Sequence, residues 1–429
     1  MDNSKLLFLG ADTSTEDAVK YAQSLGVYTI VTDYRQKEKV PAKLLADEAW
    51  MIDVADMDAL EHRSREEGVT AVFAGNHEFC LDQCKELCAR LGLPFYASDD
   101  GWKASRDKIF YKEICEECGL AVPKWIRLKE DTAPEKISQL HFPLVIKPTD
   151  SCAGQGISVI RHPDEVKEAY RNALAYSAGK EVIAEEFIDG DEMFIGTYVH
   201  EGKMMWMGRF EFFSTDQVNK RRAHFGRFNP QGGKETIPGY AKVTRRLGCK
   251  EGECLFQCVY KDGILYNLEL GYRLDGVRSW RQLKPLFGIS PLELMVDYAL
   301  GITHEGETVF GSLPADGLSI CYYLWTRPGQ IERITGLKEL YARDDLIFLL
   351  DNYREGGIVR DQDNMRSIAY MIVVCGSDDT ELAQKIRQIN ETLHMYNTNG
   401  NDMLIHIDNF SEVWKSRMTS GIYAANKCK

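Results

Sequence analysis

Four short apolar runs in the first hundred residues alternate with amphipathic stretches, and this order restricts the possible folds more than any other feature. Residues 6–9 read as a buried strand that ends at Gly10, residues 27–31 as a second strand followed by Asp33, residues 49–54 as a third and residues 69–74 as a fourth. Residues 17–25 carry a helical pattern that stops at Gly26, and the last helix of the series ends near Gly92. Apolar strands alternating with helices predict a parallel sheet covered on both faces. Ligands at such sheets bind at the carboxyl ends of the strands. Asp12, Asp33, Asn76 and Glu78 fall there, with His77 read as a turn residue.

Two common nucleotide sites are excluded at the motif level. After Gly10 the sequence continues ADTSTEDA, without the further glycines of a GxGxxG dinucleotide loop, and no GxxxxGK[ST] loop occurs in the chain. The balance of 52 Lys and Arg against 65 Asp and Glu leaves a net charge of −13. That argues against general binding to nucleic acid or to anionic membranes, which need a cationic surface. A small anionic ligand held by a few focused lysines and arginines remains compatible. The apolar run at residues 6–9 is too short for a signal-peptide core, so the cytoplasm is the expected location. The 12 cysteines are expected to be reduced and mostly buried. Cys80, Cys84 and Cys88 share one helix face, and the Cys115–Cys118 pair lacks the second ligand pair that a zinc site needs.

A second unit starts near Asp99-Asp100-Gly101. A helix is expected over residues 105–117, a strand over 144–147, a glycine turn over 149–156, strands over 157–160 and 182–187, and a helix over 164–177 between them. Antiparallel strand patterns follow at 194–200, 204–212, 255–260 and 264–270, then a helix at 291–300. The tail from Gly311 is mixed, with strands at 318–325 and 369–375 and a helix at 380–393. The units divide at 1–104, 105–188, 189–310 and 311–429.

In residues 142–160, FPLVIKPTDSCAGQGISVI, a strand delivers Lys147 to a turn of small residues. Glycines allow backbone N–H groups to approach anionic oxygens, and the lysine supplies charge, so the segment suits a phosphate cradle. Asp107-Lys108 opens the helix upstream, and AEEFIDGDE (184–192) and FQCVYKDGILYNLELGYRLDG (256–276) follow downstream. These elements, in this order and spacing, resemble the ATP-grasp superfamily over some two-thirds of the chain, to about Gly301. The tail, with GQIERITG (329–336) and GGIV (356–359), resembles L-amino acid ligases and related carboxylate–amine ligases. The middle is also similar to the ATP-grasp unit of the carbamoyl phosphate synthetase large chain.

The resemblance implies an ATP-grasp fold of mixed α/β and α+β class. It comprises an N-terminal parallel-sheet domain, a small lid, an antiparallel-sheet core and a mixed α/β C-terminal extension. It also implies ATP with Mg2+, and an ADP-forming ligase that joins a small carboxylate to an amine. Lys108 and Lys147 would contact the phosphates, and Ala153, Gly154, Gln155 and Gly156 would form the lid loop. A Glu185 or Glu186 oxygen and the backbone of Phe187 and Ile188 would hold adenine, and Glu192 the ribose. Gln257 and Glu269 would hold magnesium, with Glu269 also counted among the catalytic groups. Gly271 stands where the family places an asparagine, so water, Asp262 or Asp275 would have to complete the site. Arg273 would face the reacting carboxylate or phosphoryl group. Glu78 and Arg278 are candidates for the substrate pocket, and residues 220–227, with His224, for a basic loop near the γ-phosphate. A homodimer is in keeping with similar proteins. Two alternatives stay open: a bicarbonate-activating enzyme of the carbamoyl-phosphate-synthetase or biotin-carboxylase type, and a non-catalytic nucleotide-binding homologue, favoured by Gly271.

Overall fold

The structure, a computed structural model, describes residues 4–132, 134–151, 154–213, 225–230, 232–288, 290–304, 318–360 and 367–407. Its N-terminal unit runs β1 (Lys5–Leu9), α1 (Thr13–Ser24), β2 (Tyr28–Thr32), α2 (Pro41–Leu45), β3 (Glu48–Trp50), α3 (Met57–Glu67), β4 (Ala71–Ala74) and α4 (Glu78–Leu91). The four strands form the expected parallel sheet, in the order β3-β2-β1-β4. Helix α1 begins earlier than its apolar pattern suggests, because the Asp12 carboxylate accepts from Thr15 N at 3.0 Å and caps it.

The single helix expected over residues 105–117 is two helices, α5 (Asp99–Arg106) and α6 (Lys108–Glu117). Asp107 divides them. Its carboxylate accepts from Ile109 N at 2.9 Å and Phe110 N at 3.1 Å, which starts a new helix and places Lys108 in its first turn.

The lid follows as β5 (Trp125–Leu128), α7 (Pro134–Ile137), β6 (Leu144–Pro148), β7 (Ser158–Ile160), α8 (Val166–Ala175) and β8 (Val182–Glu186). Its sheet is antiparallel, ordered β5-β8-β6-β7. The lid packs on a core of its own, which includes Leu128, Leu144, Ile146, Ile160, Ala173 and Ala184.

The remaining strands are β9 (Asp191–His200), β10 (Lys203–Phe213), β11 (Phe225–Asn229), β12 (Gly252–Lys261), β13 (Ile264–Gly271), β14 (Leu318–Thr326), β15 (Gly329–Thr335), β16 (Leu346–Asp351), β17 (Ile358–Val359), β18 (Ile368–Gly376), β19 (His394–Asn397) and β20 (Leu404–Ile405). Helices α9 (Ile237–Arg246), α10 (Trp280–Phe287), α11 (Pro291–Ala299), α12 (Leu337–Tyr341) and α13 (Asp379–Thr392) lie between them. The C-terminal strands do not stand apart from the core. One sheet runs β13-β12-β9-β10-β11-β14-β18-β16, with β20 beside β14, and crosses from core to tail at the antiparallel β11–β14 pair. Strands β15, β17 and β19 form a separate small sheet.

The N-terminal unit and the central sheet share one apolar core that joins Leu6, Phe8 and Leu81 to Tyr198, Phe256 and Trp280. Tyr96 and Tyr272 meet edge-on at 5.3 Å across that junction, and the Tyr96 hydroxyl donates to Tyr272 O at 2.7 Å. Cys80, Cys84, Cys88 and Cys115 are buried thiols within this packing. Among the described residues, no helix is long and apolar enough to cross a membrane.

Candidate functional site

One cavity of about 270 Å³ lies where the N-terminal unit, the lid turn and the central sheet converge. Glu78, Arg106, Lys108, Asp150, Ser151, Gln257, Glu269, Gly271, Arg273 and Asp275 line it, and Phe194 and Phe212 give it an apolar wall. Helix α6 projects Lys108 into the cavity. Its Nζ donates to Ser151 O at 2.7 Å and lies 3.4 Å from Glu269 Oε2, so this ammonium bridges the lid turn and the central sheet.

Gln257 and Glu269 stand directly opposite each other on β12 and β13. A bulge after Gln257 shifts the register by one residue, so that Cys258 faces Asn267 and the facing pair turns to the cavity. Both side chains are exposed to it in part or in full. A carboxylate beside an amide carbonyl is a donor set that magnesium accepts, with phosphate and water completing its shell. Asp262 is ruled out as an additional ligand. It occupies the β12–β13 turn, five residues along the strand from Gln257, or roughly 16 Å. Asp275 lines the cavity, but its carboxylate is committed to Ser279 N at 3.1 and 3.2 Å, and burial pushes its pKa up.

Arg273 enters from the strand end after Gly271. Its Nη2 lies 3.1 Å from Glu78 Oε1, and Nη1 donates to Leu274 O at 3.0 Å. Arg106 holds the other oxygen of Glu78 at 2.7 Å and stacks on the Trp102 ring at 4.5 Å. Glu78 thus joins two guanidinium groups, one of them in the position singled out for chemistry. Asn76 donates to Asp275 O at 3.0 Å and ties the same strand end to the central sheet.

Lys147, the second lysine expected to contact phosphate, stands near the end of β6, just before the lid turn. It is 6 % exposed and ion-paired with Glu185. The second Glu185 oxygen lies 2.9 Å from Lys112 Nζ, and Lys112 is fully buried. Burial pushes the Glu185 carboxyl up, but Lys112 and Lys147 overcome it and hold its pKa at about 2. Burial likewise pushes Lys112 down. Lys112 has no counterpart among the sequence candidates. Its one local signal was its place one helical turn after Lys108.

The adenine candidates have partners within the fold. Both Glu185 oxygens face lysines, and Glu186 Oε1 accepts from His141 N at 3.0 Å. Phe187 N donates to Pro143 O at 2.9 Å. A carboxylate oxygen can accept more than one hydrogen bond, so these contacts leave the carboxylates and backbone of residues 185–188 open to an adenine edge. Glu192 is exposed at the start of β9, and Gly154 and Gln155 are exposed in the turn. Gly156 has φ +72, and a Cβ there would lie 2.9 Å from Pro148 Cγ. Ala153 lies outside the described residues.

Other candidates lie elsewhere. Arg278 does not line the cavity; its Nη2 donates to Thr13 Oγ1 at 3.1 Å. Asp12 caps α1, and Asp33 pairs with Arg35 at 2.8 Å. Of the basic segment, residues 220–224, including His224, lie outside the described residues. Arg227 is buried against Glu211 and Asp379, each at 3.1 Å, and joins β11 to α13 instead of facing the cavity.

Residues 106–212, which contain Lys108, Lys147, Glu185 and Glu192, match the family described as phosphoribosylglycinamide synthetase, ATP-grasp (A) domain. The chain carries an ATP-grasp domain. Formate-dependent phosphoribosylglycinamide formyltransferase of Haloquadratum walsbyi is 28% identical over 193 residues, 44% of this chain and 47% of that protein. The chain spans about half the length of the curated relatives it matches. An L-amino acid ligase from Bacillus licheniformis superposes with a TM-score of 0.76 at 19% identity, over 92% of this chain and 99% of that one. The biotin carboxylase domain of Hydrogenobacter thermophilus 2-oxoglutarate carboxylase, solved with MgADP and bicarbonate, gives 0.76 at 16% identity over 98% and 95%. At these identities the two structures establish the ATP-grasp fold of the chain and nothing about its substrate.

Proposed function

We propose that the chain is an ATP-dependent, ADP-forming carboxylate–amine ligase that works through an acyl phosphate. The observation that carries this reading is the single cavity in which Lys108, Gln257, Glu269 and Arg273 meet Glu78 of the N-terminal unit. Lys108 and Lys147 would bind the phosphates of ATP, covered by the glycine turn; residues 185–188 would take adenine and Glu192 the ribose. Glu269 and Gln257 would hold magnesium, which neutralises phosphate charge when bound.

A carboxylate oxygen of the substrate attacks the γ-phosphorus. The new O–P bond forms as the bridging P–O bond to ADP breaks. The lone pair of the amine then attacks the acyl carbon, the C–N bond forms, and the C–O bond to phosphate breaks. The nitrogen gives up its proton to phosphate or water. Arg273 faces the oxygens that carry negative charge through both steps, where a planar guanidinium makes a two-point contact. Glu78, anchored by Arg106, holds that guanidinium in place.

An ADP-release screen over amino acids and small carboxylates, each with and without amines, tests this reading. ADP release that requires both a carboxylate and an amine is the expected result. Release with bicarbonate alone would replace it by bicarbonate activation, and no release with any carboxylate would favour a non-catalytic nucleotide-binding protein. Gly271 offers a second test. A Cβ there would meet Leu255 Cβ at 3.7 Å, an ordinary contact, so a side chain fits without rebuilding the strand. Gly271→Asn should keep the melting temperature and tighten magnesium-dependent ATP binding several-fold in a calorimetric titration. A drop in stability, or unchanged affinity, would show that the cavity does not use this position for the metal.

A further inference from the structure

Two histidines and an aspartate meet at the C-terminal end of α13, in a part of the fold that the ligase reading does not use. His394 opens β19, Asp402 lies just before β20 and His406 just after it. Asp402 Oδ2 is 2.8 Å from His394 Nδ1 and 3.1 Å from His406 Nε2. One ligand atom from each of the three residues lies within 4.8 Å of the others.

The far nitrogen of each ring fixes its tautomer. His394 Nε2 lies 3.3 Å from Glu391 O, and His406 Nδ1 lies 3.2 Å from Asn390 Oδ1. The Asn390 amide cannot be turned around. Its Nδ2 donates to Ile407 O at 3.0 Å, and its Oδ1 accepts from the Tyr322 hydroxyl at 2.9 Å. A carbonyl oxygen only accepts, so both far nitrogens carry the protons. In neutral rings the near nitrogens then turn lone pairs towards an oxygen that has only lone pairs of its own. A second proton on each ring, or a metal cation among the three, removes that repulsion. Ligating nitrogens inward and N–H groups outward to carbonyl oxygens is also the arrangement that metal-bound histidines adopt.

The surroundings favour a cation. The cluster sits at the C-terminal end of α13, the negative pole of the helix dipole. Arg327 Nη1 is nearby, but it donates to the backbone oxygens of Asp402 and Leu404, at 3.4 and 3.1 Å, and not to the carboxylate. The side chains of His394, Asp402 and His406 are 28%, 26% and 16% exposed, so an ion can enter and water can complete its shell. Two imidazoles and one carboxylate oxygen suit a borderline first-row ion such as zinc, whereas magnesium selects oxygen ligands. Ligand atoms around tetrahedral zinc lie about 3.3 Å apart, so the two histidine–aspartate separations need to widen by only a few tenths of an ångström, and the two ring nitrogens already lie within 4.8 Å of each other.

We propose that His394, Asp402 and His406 bind a zinc-class divalent transition-metal ion, which fastens the end of α13 to β19 and to the segment after β20. The test uses the full chain, stripped with chelator and titrated with Zn2+ in the presence of excess Mg2+. Wild type should bind one equivalent and gain melting temperature. His394→Gln and His406→Gln should each weaken binding at least tenfold, and Glu269→Ala should leave it unchanged. Ten described cysteines are free, so Co2+ substitution serves to identify the ligands. Its absorption should show nitrogen and oxygen ligation without thiolate charge-transfer bands. Where a histidine variant fails to fold, mass spectrometry of the wild type after diethylpyrocarbonate treatment replaces it. Zinc should then protect His394 and His406. No zinc uptake by wild type, thiolate bands, undiminished binding in both histidine variants, or absence of protection would each overturn the proposal.

Discussion

Glu185→Ala is expected to cost about 3–5 kcal/mol of stability and to remove ATP binding from whatever fraction still folds. The carboxylate is the shared partner of Lys112 and Lys147, and all three side chains are shielded from water. Removing it leaves two buried ammonium groups facing each other. Lys112→Met should be much milder, because the Glu185–Lys147 pair survives and a methionine fills the space. The pH dependence has a definite sign. The folded carboxyl titrates at about 2 against an ordinary 4.5, so its contribution is complete above 4.5 and is lost as the pH falls towards 2. The difference between those two values corresponds to about 3 kcal/mol. Urea melts of wild type and Glu185→Gln should therefore converge between pH 4.5 and the acid limit of folding. If their separation stays constant over that window, the buried pair does not hold the carboxylate as described.

Arg273→Ala should lower turnover by roughly 10² to 10³ on a substrate found by ADP release, with ATP affinity nearly unchanged. The charge it meets develops during the reaction, so its loss appears in kcat and not in nucleotide binding. Arg273→Lys should recover little, since an ammonium cannot reproduce a planar two-point contact. Its partner Glu78 stays held by Arg106 at 2.7 Å, so the N-terminal wall of the cavity should persist in the variant. Full turnover by Arg273→Ala would remove the arginine from the mechanism.

The parallel sheet, the lid hairpin and the antiparallel core were legible because each rests on local periodicity, which the chain states residue by residue. The meeting of Lys108, Gln257, Glu269 and Arg273 was legible only through the ATP-grasp resemblance, since periodicity does not single out Gln257 midway along β12. What escaped was set by partners distant in sequence. Lys112 reads as a solvated helix position until β8 brings Glu185 to it from 73 residues away. Arg227 reads as part of a basic loop until α13 supplies Asp379. Asp12 and Asp33 stand at ligand-prone strand ends, yet local hydrogen bonds claim both. Asp107 ends one helix and starts another through its own side chain, a competition that apolar spacing does not record. His394, Asp402 and His406 fall within 13 residues, but only the β19–β20 turn brings their ring nitrogens and carboxylate together.

The crossing at β11–β14 has a consequence for how the molecule comes apart. Phe225 and Tyr322 stack at 4.9 Å over that seam, and the ladder runs on through it from Phe225–Tyr322 to Phe228–Ser319. Central and C-terminal strands therefore share one cooperative transition. A chain cut before β14 would expose the outer edge of β11 as a row of unpaired backbone groups, a template for aggregation. The lid has a core of its own and opens as a smaller unit once its Lys112–Glu185 tie to α6 breaks. Native-state hydrogen exchange should register this hierarchy. Amides of Ile146 and Ala184 should exchange through partial opening, while those of Ile195 and Ile320 wait for global unfolding.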